Sequence, residues 1–85
     1  MHTMKQIFVT QKEVEDYQPK TIVQTTYITP SRSIDVYNDG MVFYNDDGLY
    51  FSIYESVQDY YNDELPLESF DSEEEAEYFI QHYTL

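Results

Sequence analysis

The sequence predicts an α+β fold, a small antiparallel sheet (a meander of four to five strands) with a C-terminal amphipathic helix packed on it. Three observations carry that expectation. Between residues 21 and 54, short runs of β-branched and aromatic residues alternate with turns rich in Asn, Asp and Gly. After Glu55 the apolar spacing changes from alternation to a helical period. Ala76, Phe79, Ile80 and Tyr83 then fall at i, i+3, i+4 and i+7, the stripe of a helix that buries one side.

Taken in order, Lys5–Thr10 (KQIFVT) alternates as a first strand, and the polar stretch to Lys20, with Pro19, reads as a loop. Thr21–Thr29 (TIVQTTYIT) has high β propensity throughout and stops at Pro30. Ser33–Tyr37 places Ile34 and Val36 inward against Asp35 and Tyr37. Asn38-Asp39-Gly40 supplies residues that tolerate positive φ, so a hairpin is expected into Met41–Tyr44. A second turn, Asn45-Asp46-Asp47-Gly48, leads into Leu49–Tyr54, with Leu49, Phe51 and Ile53 on the inner face. Val57, Tyr60 and Tyr61 allow a short helical turn, and Leu65-Pro66-Leu67 is a connector. Ser72 with Glu75, or Asp71 with Glu74, forms a capping box that opens a helix over about residues 72 to 83. The expected core is Ile34, Val36, Phe51, Ile53, Phe79 and Ile80. Tyr37, Tyr44, Tyr50 and Tyr54 are expected on the opposite strand faces, several of them exposed.

Eighty-five residues make one domain, residues 1–85, near the lower size limit for folding without staples. There is no cysteine, so disulfides and thiolate metal sites are excluded, and ten Tyr with five Phe supply large buried areas instead. No apolar run approaches the roughly 20 residues of a membrane span. Met1-His2-Thr3-Met4-Lys5 lacks the apolar stretch of a signal peptide, and a cytoplasmic protein is the expectation.

Charge is the most informative property. The net charge is −13, and Lys5, Lys12, Lys20 and Arg32 are the only Lys and Arg residues. From Ser33 to Leu85 there are fourteen carboxylates and no Lys or Arg. Solubility calls for a net charge of only about 2–8 in a small domain. Capping explains part of the excess, since acids in a first helical turn complement the dipole. It does not explain Asp59, Asp63, Glu64 and Glu68, or the acids at both turn tips.

Known site chemistries fit poorly. Paired carboxylates catalyse glycoside hydrolysis only where a cleft raises one pKa, and seventeen acids give suitable separations by chance. Asp35 to Asp46 approximates a calcium loop, but Tyr37 stands where an oxygen ligand is needed, Asp46 replaces the twelfth-position Glu, and the flanks read as strands. His2 and His82 form no ligand pattern, and neither glycine opens a phosphate loop. Direct nucleic-acid binding needs Lys and Arg that this chain lacks. No catalytic residue, metal or cofactor is expected, and the protein is not expected to be an enzyme.

What remains is a carboxylate surface interspersed with tyrosines, which are favoured interface anchors. The expected partner-binding residues are Asp39, Asp46, Asp47, Glu55, Asp59, Tyr60, Tyr61, Asp63, Glu64, Glu68, Glu74, Glu77 and Tyr78. Carboxylates on alternate strand residues repeat at about 6.6 Å and those one helical turn apart at about 5.4 Å, spacings that can imitate a phosphate row. In size, segregated acidity and aromatic content, though in no motif, the chain resembles the DNA-mimic inhibitors of phages and mobile elements. These include the uracil-DNA glycosylase inhibitor, anti-restriction and anti-CRISPR proteins. The resemblance implies an inhibitor that blocks the basic groove of a DNA- or RNA-handling enzyme. The competing expectations are an immunity or antitoxin protein neutralising a basic nuclease, and a small module whose acidity serves solubility alone.

Overall fold

A computed structural model describes residues 19–84. The strand expected over Lys5–Thr10 lies outside the described residues. Five antiparallel strands follow one another in space as in sequence: β1 (Ile22–Thr29), β2 (Arg32–Tyr37), β3 (Val42–Asp46), β4 (Tyr50–Tyr54) and β5 (Glu68–Phe70). Helix α1 (Val57–Tyr61) lies between β4 and β5, and helix α2 (Glu73–His82) follows β5.

The turns form where the sequence supplies residues that accept positive φ. At the β2–β3 turn the amide of Gly40 donates to the Tyr37 carbonyl at 2.8 Å, and Gly40 takes φ +95°. At the β3–β4 turn both Asp47 (+59°) and Gly48 (+74°) are positive, the sign pattern of a type I′ turn. Ser72 caps α2, its Oγ accepting from the Glu75 amide at 3.3 Å, so Ser72 rather than Asp71 sets the register. Ser56 caps α1 in the same way, accepting from Asp59 N at 3.1 Å. The far end of α1 is closed by Asp63, at φ +59° where glycine is usual, with Glu64 N donating to Asp59 O and Asp63 N to Tyr60 O.

Beyond β1, which is exposed along most of its length, the sheet is covered on both faces, and this corrects the one-sided expectation. Tyr37, Met41, Phe43, Phe51 and Ile53 form one buried cluster with Ala76 and Ile80 of α2. Ile34, Val42 and Tyr44 form a second, with Val36, Tyr54, Val57 and Tyr60 packed on it. Val42, Phe43 and Tyr44 are successive residues of β3 and all are buried, so their alternating side chains fill both clusters. Tyr37 and Tyr44, expected on an exposed face, are therefore core, while Val36 and Phe79 are only half-buried. Leu49, expected inward, lies in the β3–β4 turn and is 73% exposed. The strand that should bury it starts one residue later, at Tyr50.

Burial, aided by the charges of Asp35, Glu77 and Glu73, pushes the Tyr37 hydroxyl up to about 12. A free tyrosine titrates near 10. Above that pH the unfolded chain has lost a proton that the folded state still holds, so stability falls as pH rises from about 10 towards 12. Tyr37→Phe removes this contribution and is expected to delay alkaline unfolding, followed by circular dichroism. Identical alkaline midpoints would contradict the assignment.

Candidate partner-binding surface

The two helices divide the acidic surface. Asp59 and, just beyond α1, Asp63 and Glu64 lie over the Ile34–Val42–Tyr44 side of the sheet, while Glu73, Glu74, Glu75 and Glu77 ride on α2 over the other. The turns occupy the two ends. Asp39 shares one end with Glu55 and Glu68, and Asp46 and Asp47 sit at the opposite end, as the strand register requires. Thus Asp59, Asp63 and Glu64 do not form one patch with Glu74, Glu77 and Tyr78. Only three of the fourteen carboxylates after residue 33 lie in strands, Asp35, Asp46 and Glu68, so no row of alternate strand acids exists. Helical rows do exist, with Glu73 and Glu77 one turn apart.

Eleven of those fourteen carboxylates are exposed, the half-buried ones being Asp35, Asp46 and Asp59. The two described cations are committed internally. Lys20 Nζ lies 2.8 Å from Asp39 Oδ2 and donates to the Tyr83 carbonyl at 2.6 Å. Its main chain exchanges two hydrogen bonds with the Gln81 side chain, 2.9 and 2.8 Å. Burial alone would raise the Asp39 pKa, but the Lys20 hydrogen bond, the Met41 amide and the Lys20 charge outweigh it and hold the carboxyl below its usual range. Arg32 donates from Nε and Nη2 to Tyr44 Oη, 3.1 and 2.6 Å, and its Nε lies 3.4 Å from Asp46. Asp47 accepts from the Ser31 hydroxyl. The turn acids Asp39, Asp46 and Asp47 therefore hold the fold together, a task that carboxylates at turn tips do not announce in sequence.

The tyrosines near α1 pack on one another. Tyr60 meets Tyr44 at 5.6 Å, Tyr54 at 5.4 Å and Tyr61 at 5.1 Å between ring centroids. Edge and tilted contacts of this kind add to what burial alone contributes. Burial first, then neighbouring phenols, raises the pKa of Tyr60, and burial, Tyr44 and Asp63 raise that of Tyr54. Tyr60 is half-buried, whereas Tyr61 is 64% exposed. Arg32, Tyr44, Tyr54, Tyr60, Tyr61 and Asp63 line a cleft of about 340 Å³ that Arg32 already supplies with a cation.

On the other side Tyr78, 62% exposed, stacks on His82 at 4.2 Å. Beside this pair, Phe70 of β5 contacts Phe79 at 5.5 Å, and Phe79 contacts Tyr83 at 5.2 Å. With Glu74 and Glu75 these rings line an apolar groove of about 490 Å³. Of the residues expected at a partner surface, Glu74 and Tyr78 line this groove, together with Phe70, Glu75, Phe79, His82 and Tyr83, which the sequence reading did not place at a site. The i, i+4 rows 74-78-82 and 75-79-83 were available as a signal, but the Phe70 wall depends on β5, which the sequence does not reveal.

Among the described residues no group of three or more His, Asp or Glu is placed to hold a metal ion, and no helix is long and apolar enough to cross a membrane. No protein-family model, curated protein or solved structure matches this chain.

Proposed function

We propose that this protein is an acidic inhibitor of the DNA-mimic type, which occupies the basic nucleic-acid groove of a DNA- or RNA-handling enzyme. One observation carries the reading. The exposed charge of the described residues is almost entirely negative, because eleven of fourteen carboxylates are exposed while Lys20 and Arg32 are paired with Asp39 and Asp46. A solubility surface mixes both signs. Such a surface attracts a groove built for phosphates, and ring contacts add to the affinity. The candidates for those contacts are Tyr61 and Tyr78, the exposed tyrosines of the helices.

Competition is the test. After affinity capture of the partner, the complex is titrated with a nucleic-acid ligand of that partner. Mutual exclusion, and binding that weakens steeply with ionic strength, is the expected result. Simultaneous and undiminished binding of both ligands would refute a shared groove. Capture of a basic toxin nuclease would turn the same chemistry towards the immunity reading.

A further inference from the structure

The α2 groove has a chemistry that selects its occupant. Its lining is aromatic, from Phe70, Tyr78, Phe79, His82 and Tyr83, and Glu74 and Glu75 add two negative charges from the first turn of α2. Its volume of about 490 Å³ falls within the range of sites that take a side chain or small molecule whole. An anion would be repelled by the two glutamates. A purely aliphatic side chain would fill the groove but gain nothing from the two charges. A planar cation satisfies both parts, stacking on the rings while its N–H groups reach the carboxylates. Arginine meets this description better than lysine, since its guanidinium is flat, weakly hydrated and presents several fixed donors.

We infer that the groove between β5 and α2 is a receptor for an arginine side chain of the partner protein. This deepens the proposed function and rests on it for the source of the arginine, because a groove that binds phosphates is lined with such residues. The groove then acts as the anchor of the complex, and the remaining carboxylates steer the approach. Two features favour it over the α1 side. The tyrosine cleft there already contains Arg32, hydrogen-bonded to Tyr44. Tyr60 there is engaged with three other rings.

The inference is testable on the isolated protein, separately from any partner. N-acetylarginine methylamide, its citrulline counterpart and its lysine counterpart are titrated against ¹⁵N-labelled protein. Saturable shifts centred on residues 70, 74, 75, 78, 79, 82 and 83 are expected for arginine, with citrulline and lysine at least about fivefold weaker, as expected if charge and planarity both count. Tyr78→Ala and the double variant E74Q/E75Q should each weaken arginine binding severalfold while leaving the amide spectrum folded. Equal binding of citrulline or lysine would overturn the inference. So would shifts spread with one midpoint over Asp59, Asp63 and Glu64 as well, the mark of diffuse charge attraction. If arginine binds as described but nucleic acid fails to compete for the partner, the groove stands and the DNA-mimic reading falls. If competition holds while Tyr78→Ala leaves partner binding unchanged, the opposite follows.

Discussion

Ile53→Ala is expected to cost about 2–5 kcal/mol, the range for losing a buried Ile side chain and leaving a cavity. Ile53 is fully buried in β4. It lies opposite Phe43 on β3 and Glu68 on β5, and belongs to the cluster closed by Ala76 and Ile80. A domain of this size has a net stability at the low end of about 5–15 kcal/mol, so the variant should be close to unfolded at ambient temperature. In urea, where a small protein loses about 1 kcal/mol per molar, the midpoint should drop by about 2 M or more. Leu49→Ala is the control, because Leu49 sits in a turn at 73% exposure and should change stability by less than about 0.5 kcal/mol. The sequence alternation assigns both residues to one inner face and predicts similar losses. A midpoint for Ile53→Ala equal to that of the parent would contradict the packing of α2 against β4.

The second large effect is expected on partner binding. Because α1 and α2 lie on opposite faces of the sheet, a groove that grips one face should respond to one set of charges. Glu74→Lys with Glu77→Lys alters the α2 face, where both residues are exposed and neither is the cap. The set Asp59→Asn, Asp63→Asn and Glu64→Lys alters the α1 side. Asparagine is chosen at 63 because it tolerates the left-handed backbone that Asp63 adopts at φ +59°. Close charge pairs across an interface are coupled by about 1.5 kcal/mol or more, so the α2 set should weaken binding by at least about tenfold. The α1 set should mainly slow association and reduce its salt dependence. Equal losses from both sets, measured by titration at fixed ionic strength, would mean that only total charge matters.

Much of the architecture was legible in the chain. The hairpin at Asn38-Asp39-Gly40, the strands around it and the helix capped by Ser72 follow from local chemistry, in which turn residues and caps act within a few positions. What misled was inside and outside. In a sheet covered on one face, alternation separates core from surface, and of Tyr37 and Tyr44, which lie on opposite faces, one would then be exposed. Here Val57 and Tyr60 of α1 cover the face that carries Tyr44, so a five-residue helix thirteen to sixteen positions later decides whether that tyrosine is surface or core, while Tyr37 is buried on the α2 side. Strand β5 is three residues, Glu-Ser-Phe, too short for any period to appear. The acids were legible as charge but not as tasks. Which of them would turn inward to Lys20 or Arg32 depends on strand register, and the groove beside Tyr78 depends on where β5 places Phe70.

The consecutive order of the strands also bears on the time course of folding. Each described strand pairs only with its neighbours in the chain, so β1 to β4 can assemble by closing short loops in succession, and short loops lose little entropy on closing. The contacts of Lys20 with Gln81 and Tyr83 are of another kind, since they join residues 61 and 63 positions apart. They close the longest loop of the described chain and repay its entropy only after the sheet and α2 already stand in place. The ion pair and hydrogen bonds around Lys20 therefore act as a latch on a finished body, retarding its opening rather than hastening its assembly.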